Sequence, residues 1–99
     1  MNAGPIRVVL VDDHAVIRAG LAQLLASTDD ISVVGQAGEG LQAVDVVREV
    51  RPDVVLMDLQ MPGVDGVAAT RRVRAEVPGV DVLVLTSFSD SERILDALD

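Results

Sequence analysis

Short runs of mostly β-branched apolar residues alternate along the chain with longer segments in which apolar positions recur every three or four residues. Runs bounded by polar or turn-forming residues are typical of strands buried on both faces of a parallel sheet. We predict strands at 6–11, 31–34, 54–57 and 80–85. The spacing between them predicts helices around 17–28, 41–50 and 69–77, and a fourth from 94 onward.

This strand-then-helix unit occurs four times with connections of a few residues, which favours an α/β fold with a doubly wound parallel sheet. We predict the flavodoxin-like strand order 2-1-3-4. The chain stops inside the predicted fourth helix, so we expect residues 1–99 to form one incomplete (βα)4 domain. Strand four would then form a sheet edge, and an open edge recruits another strand or a partner chain.

Composition narrows the class of protein. Hydrophobic residues make up 49% of the 99 residues but Phe88 is the one aromatic, so an aliphatic core is expected. The formal charge of −8 disfavours nucleic-acid binding by this segment itself. Cysteine is absent, which excludes disulfides and thiol chemistry. No apolar run has the length of a membrane span or a secretion signal, so we expect a cytoplasmic protein without a membrane partner.

Reactive oxygen groups follow three of the predicted strands: Asp12 and Asp13 the first, Asp58 the third and Thr86 the fourth. Because the carboxyl ends of parallel strands share one edge of a sheet, these side chains are expected to meet there. Carboxylates that close cannot all stay ionised unaided, so either one pKa rises or a cation binds. An all-oxygen set suits Mg²⁺ or Mn²⁺ better than zinc. A carboxylate beside such an ion can attack a phosphoryl group, which makes Asp58 a candidate nucleophile.

Plainer interpretations stand beside these. Asp12 and Asp13 could cap the first helix, and Thr86 could simply end a strand. A metal role for His14 is possible, but a solvent-facing or capping role is the simpler expectation. The arginines within 71–74 are interpreted as a solvated helix face rather than a docking patch.

The chain resembles the receiver domains of bacterial two-component response regulators, and within them the NarL/FixJ branch, which carries a LuxR-type output domain. The resemblance is carried by Val-Val-Leu-Val-Asp-Asp-His at 8–14, Ile-Arg-Ala-Gly-Leu at 17–21, the segment 52–66 with Asp-Leu-Gln-Met-Pro-Gly-Val-Asp-Gly, and Val-Leu-Val-Leu-Thr-Ser-Phe at 82–88. It covers the whole chain.

The resemblance implies a role for each matching residue. Asp58 would be the phosphoacceptor and a metal ligand, Asp13 a direct Mg²⁺ ligand, and Asp12 a ligand acting mainly through water. Gln60 would offer its backbone carbonyl to the metal. Thr86 would be the switch hydroxyl that turns toward the phosphoryl group.

The resemblance also implies partners. A sensor histidine kinase would donate the phosphoryl group, and DNA would be bound only through an output domain absent from this chain. Receivers have a further strand that begins with a lysine and a further helix; this chain contains arginine but no lysine. The exposed apolar surface of strand four or helix four leads us to expect a homodimer or a swapped oligomer.

Two alternatives to a phosphate-accepting, non-enzymatic receiver remain open. A degenerate receiver would act only through protein contacts. A haloacid-dehalogenase-like phosphatase also uses a strand-end aspartate and Mg²⁺, but it needs a second aspartate two residues after the nucleophile, where this chain has Gln60.

Overall fold

The structure is a computed structural model that describes residues 4–58 and 66–85. Within them, four strands alternate with three helices. Their bounds are β1 Ile6–Val11, α1 Ala15–Ala26, β2 Ile31–Ala37, α2 Gly40–Val50, β3 Val54–Asp58, α3 Gly66–Glu76 and β4 Asp81–Leu85. The predicted fourth helix, from position 94 onward, falls outside the described residues.

The four strands form one parallel sheet in the order β2-β1-β3-β4. In its middle, Val9 of β1 faces Val55 of β3, which in turn faces Val82 of β4. The doubly wound α/β fold and its strand order are therefore confirmed. Among the described strands, β4 lies at one edge and β2 at the other.

The second strand is longer than the apolar run predicts. It continues past Val34 to Ala37, because Gln36 and Ala37 pair with Leu10 and Val11 of β1. A register shift between Val8 and Val9 brings these residues into alignment. Pairing with a central strand, rather than side-chain pattern, sets where β2 ends.

Helix ends follow the predicted breaks. Helix α2 ends at Val50, and its C-cap residue Arg51 adopts a left-handed φ of 48° immediately before Pro52. The guanidinium of Arg7 donates to the carbonyl oxygens of Val50 and Arg51 over 2.8 and 2.9 Å, which satisfies two groups that the helix end leaves free. After α3, Gly79 has a φ of 93° and turns the chain into β4.

The core lies between the sheet and helices α2 and α3, and it is aliphatic as predicted. Its fully buried members come from all of these elements: Val9, Val11, Val44, Val47, Val55, Met57 and Val73. Helix α1 packs against β1 and β2 instead, on the face to which Leu10 points. Over its whole length, which the structure describes, α1 carries no buried residue. No helix within residues 4–58 and 66–85 is long and apolar enough to cross a membrane.

Candidate metal and phosphoacceptor site

The strand ends bring together carboxylates that lie 46 positions apart in the chain. Val11 of β1 pairs with Met57 of β3. Asp12 and Asp58 directly follow these two residues, so they lie at neighbouring strand ends. The backbone N–H of Asp12 still donates to the carbonyl oxygen of Ala37 over 3.1 Å, which ties the end of β1 to β2. Asp58 is the last residue of β3, and only 8% of its surface is exposed.

Four possible ligand atoms lie within 4.8 Å of one another: a carboxylate oxygen from each of Asp12, Asp13 and Asp58, and a ring nitrogen of His14. The sequence predicted the meeting of the three carboxylates. Their burial increases from Asp13, which is exposed, through Asp12 to Asp58. Three carboxylates at that spacing repel one another unless a cation compensates their charge, and hard oxygen ligands of this kind fit Mg²⁺ or Mn²⁺. The residues present therefore fit a divalent-ion site.

Two of the predicted site residues lie outside the described residues. The structure gives no position for Gln60, expected to offer a backbone carbonyl, or for Thr86, expected to offer its hydroxyl. Their roles, and the ligand and phosphoacceptor roles of the three aspartates, stay predictions.

The helix-cap alternative for the aspartates does not describe the observed turn. Helix α1 begins at Ala15 with His14 as its N-cap residue, and the His14 side chain makes no capping hydrogen bond to a backbone N–H of the helix. The Asp12 carboxylate accepts the backbone N–H of His14 over 2.7 Å. This hydrogen bond spans two positions and closes a turn directly before the helix. Asp12 thus shapes the loop and does not satisfy the first N–H groups within the helix.

His14 is exposed at the N-cap position of α1, in line with the expected solvent-facing role, and it also contacts the aspartates. Its imidazole Nδ1 lies 3.1 Å from Asp12 Oδ1 and 3.0 Å from Asp13 Oδ1. The hydrogen bond with Asp12, together with the negative charge of Asp13, raises the pKa of His14 above its ordinary value. The ring is therefore part of the acidic cluster, although most of it faces solvent. The signal available beforehand was its position directly after the aspartate pair.

Arg18 contacts the backbone of the acidic cluster, which its position within helix α1 did not predict. Its guanidinium Nη1 donates to the backbone carbonyl oxygen of Asp12 over 2.6 Å, and its Nε donates to Gln36 Oε1 over 3.2 Å. One side chain of α1 therefore connects the end of β1 with the end of β2. Because the carbonyl belongs to Asp12 itself, this contact fixes the backbone from which the candidate ligand extends.

The neighbouring loop after β2 is held by Gln42. Its side-chain oxygen accepts the backbone N–H of Gly38 over 2.8 Å. A β-carbon at Gly38 would lie 3.3 Å from Arg18 Nη1, so the glycine leaves space for the arginine. Arg18 therefore lies close to both loops beside the acidic cluster.

Residues 8–99 match the family model described as the response regulator receiver domain. The chain belongs to this family. The match includes all three aspartates of the cluster, and it agrees with the parallel sheet order observed. Receiver domains bind Mg²⁺ at an acidic pocket, and they are generally regarded as signalling modules rather than enzymes.

The curated relatives are transcriptional regulators. The chain is 47% identical over 92 residues to the uncharacterized transcriptional regulatory protein YhcZ of Bacillus subtilis, an alignment that covers 93% of the chain and 43% of YhcZ. It is 43% identical over 94 residues to the transcriptional regulatory protein LiaR of the same organism, covering 95% of the chain and 44% of LiaR. The chain therefore spans less than half the length of these relatives.

Solved receiver structures have the same fold. The signal receiver domain of the putative response regulator NarL from Mycobacterium tuberculosis superimposes with a TM-score of 0.83 at 33% identity, covering 96% of this chain and 77% of that one. A LuxR-family two-component response regulator from Aurantimonas gives a TM-score of 0.82 at 35% identity, with 96% and 68% covered. The predicted relationship to LuxR- and NarL-type regulators is confirmed.

Proposed function

We propose that this chain is the phosphoacceptor module of a two-component, DNA-binding transcriptional response regulator, and that Asp58 accepts a phosphoryl group from a sensor histidine kinase. The observation that carries the proposal is the convergence of three carboxylates from two strand ends within 4.8 Å, with Asp58 the most buried of them. Family membership and the transcriptional relatives support the signalling context.

The proposed reaction is an in-line transfer. A carboxylate oxygen of Asp58 attacks the phosphorus atom of a phosphohistidine, a P–O bond forms as the P–N bond breaks, and the departing imidazole nitrogen takes a proton. Burial fixes Asp58 in a single orientation and keeps water from competing for the phosphorus. The product is an acyl phosphate on the protein, so the chain serves as a reactant and does not turn over like an enzyme.

Asp13 would hold Mg²⁺ directly and Asp12 mainly through water, with Asp58 as a third ligand. A bound Mg²⁺ supplies positive charge that neutralises the phosphoryl oxygens. We propose that the backbone carbonyl of Gln60 completes the ligand set and that the hydroxyl of Thr86 binds the phosphoryl group. The contact between Arg18 and the Asp12 carbonyl supports this arrangement, because it fixes the loop that presents two of the ligands.

Residues 1–99 would form one receiver unit of a longer cytoplasmic regulator, since the relatives are more than twice as long. DNA would be bound by another part of that protein. This chain carries a net charge of −8 and would repel the phosphate backbone. Self-association through strand four or helix four is proposed on the position of β4 at the sheet edge.

A second candidate is a degenerate receiver that acts only through protein contacts. The two candidates differ in whether phosphate ever becomes attached to Asp58.

Incubation with acetyl phosphate and Mg²⁺, followed by intact mass spectrometry, tests the proposal. We expect one added phosphate that hydroxylamine removes, that is lost in Asp58→Asn, and that requires the divalent ion. Circular dichroism of Asp58→Asn should show an unchanged fold. An unmodified wild-type mass would support the degenerate receiver. Hydrolysis of acetyl phosphate without accumulation of an adduct would support a phosphatase.

A further inference from the structure

The imidazole of His14 is held against the carboxylate cluster by two separate contacts. Its backbone N–H donates to Asp12 Oδ1 over 2.7 Å, and its ring Nδ1 lies 3.1 Å from the same oxygen. Nδ1 is also 3.0 Å from Asp13 Oδ1. The short turn that starts helix α1 therefore places the ring nitrogen beside the two aspartates, while the side chain as a whole is 62% exposed.

The spacing of these atoms matches that of adjacent ligands on one ion. With ligand distances near 2.1 Å in an octahedral shell, neighbouring ligand atoms lie about 3.0 Å apart and opposite ones about 4.2 Å. Nδ1 lies 3.0 Å from the oxygen of Asp13, the proposed direct ligand, and 3.1 Å from that of Asp12. The wider set with Asp58 lies within 4.8 Å, a range that includes the separations of such a shell. An ion bound by Asp13 would therefore lie close to the nitrogen.

The chemistry of a nitrogen ligand changes which ions such a site prefers. Mg²⁺ takes oxygen ligands almost exclusively, whereas imidazole suits first-row transition metals, whose affinities rise from Mn²⁺ toward Cu²⁺. An all-carboxylate site gives little basis for separating Mg²⁺ from Mn²⁺. Three carboxylates with one imidazole favour the transition metal.

We propose that His14 is an additional ligand of the divalent ion, through Nδ1, and that it makes this receiver select a transition-metal ion such as Mn²⁺ over Mg²⁺. The inference rests on the proposed metal-binding role of the aspartates. It assigns the selectivity to His14. Coordination uses the Nδ1 lone pair, with the ring proton on Nε2.

A purely ionic role for His14 has the opposite consequence. If the imidazole only neutralises Asp12 and Asp13, every divalent ion must displace it. Removal of the ring would then tighten the binding of Mg²⁺ and Mn²⁺ alike. If Nδ1 is a ligand, removal of the ring weakens Mn²⁺ binding and leaves Mg²⁺ binding nearly unchanged. The two roles are separated by the ratio of the two dissociation constants.

The experiment uses the untagged chain and its His14→Gln variant, at about pH 8, where a free imidazole is neutral. Calorimetric titrations with Mg²⁺ and with Mn²⁺ give the two dissociation constants for each protein. We expect His14→Gln to weaken Mn²⁺ binding by about tenfold or more while Mg²⁺ binding changes less than about twofold. An unchanged ratio, or tighter binding of both ions, would overturn the proposal.

Pulsed electron paramagnetic resonance of bound Mn²⁺ provides a second, direct readout. Because His14 is the only histidine of the chain, an imidazole ¹⁴N coupling can be assigned to it without further labelling. We expect the coupling in the wild type and its loss in His14→Gln. Bound Mn²⁺ without any imidazole coupling would rule out His14 as a ligand.

Asp13→Asn distinguishes failure of this inference from failure of the proposed function. Loss of both ions in Asp13→Asn, with an unaltered Mn²⁺ to Mg²⁺ ratio in His14→Gln, would overturn the role of His14 alone. If Asp13→Asn binds both ions as the wild type does, the acidic cluster is not the metal site, and both proposals fall.

Discussion

The guanidinium of Arg18 donates to the backbone carbonyl of Asp12 over 2.6 Å, so a helix side chain anchors the residue that begins the acidic cluster. The same guanidinium reaches Gln36 on the neighbouring strand. The position of the candidate ligands therefore depends on a residue that has no metal or phosphate role of its own.

Replacement of Arg18 should affect both stability and metal binding. Arg18→Ala removes a charged donor from a partly buried carbonyl, and we expect a loss of about 1.5–3 kcal/mol in the free energy of unfolding. We also expect severalfold weaker Mg²⁺ binding, because the backbone of Asp12 is no longer fixed. Urea unfolding and calorimetry measure the two effects. Gln36→Ala, which removes only the weaker contact, should have the smaller effect on both; an equal or larger effect would contradict the anchoring role.

Gly35 should not tolerate a side chain. A β-carbon there would lie 2.7 Å from Val46 Cγ1 of helix α2, and a β-branched side chain in a helix has little freedom to move away. We expect Gly35→Ala to lower the free energy of unfolding by about 1–3 kcal/mol. The double variant Gly35→Ala/Val46→Ala should recover part of this loss in a double-mutant cycle, since the clash is removed. Strict additivity of the two substitutions would show that the contact is not the cause.

Gly20 should respond in the opposite direction. It lies within helix α1, and a β-carbon there would have no atom within 4 Å. Since glycine disfavours a helix interior, Gly20→Ala should stabilise the protein by about 0.5–1 kcal/mol. Urea unfolding of Gly20→Ala and Gly35→Ala under the same conditions gives a matched comparison. Destabilisation by Gly20→Ala would mean that this face of α1 is covered.

The ion pair between helices α2 and α3 should make stability depend on pH. Arg48 Nη1 lies 2.8 Å from Glu76 Oε1, and this hydrogen bond is the main cause that lowers the pKa of Glu76 below its ordinary value. A carboxylate with a lowered pKa contributes stability above its unfolded pKa, near 4.5, and that contribution is lost as the pH falls through the folded pKa.

We therefore expect the difference in unfolding free energy between the wild type and Glu76→Gln to be constant near neutral pH and to shrink with acidification below about 4.5. Urea unfolding across this range measures it. Arg48→Gln should show the same trend, because either substitution removes the pair. A difference that grows with acidification would contradict the assigned direction.

The sequence predicted the fold because its apolar strand runs alternate regularly with segments of helical periodicity. The expected burial on both faces holds for Val8–Val11 of β1 but not for β4, where Leu83 is 57% exposed. It also predicted that Asp12, Asp13 and Asp58 meet, since that follows from strand order alone. It did not predict the full length of β2, where Gln36 and Ala37 are strand residues only because they pair with β1.

The pattern of apolar and polar residues does not predict the contacts that long side chains make. Arg18 contacts the ends of two strands from a helix position that looks like an ordinary solvated one. The position of the His14 ring depends on a turn that Asp12 closes, and the order of residues does not indicate that turn. Nor does periodicity indicate how far a face is covered: α1 has apolar residues at helical spacing, yet Val16 is 86% exposed and Leu24 66%.

The central claim is that carboxylates from two strand ends converge on one divalent ion. Titration of ¹⁵N-labelled protein with trace Mn²⁺ tests it most directly, because the paramagnetic ion broadens the amide signals of nearby residues. We predict selective loss of the signals of Asp12, Asp13 and Asp58, restored by excess Mg²⁺, while those of Arg48 and Arg74 persist. Broadening centred on any other part of the chain, or none at stoichiometric Mn²⁺, would contradict the account.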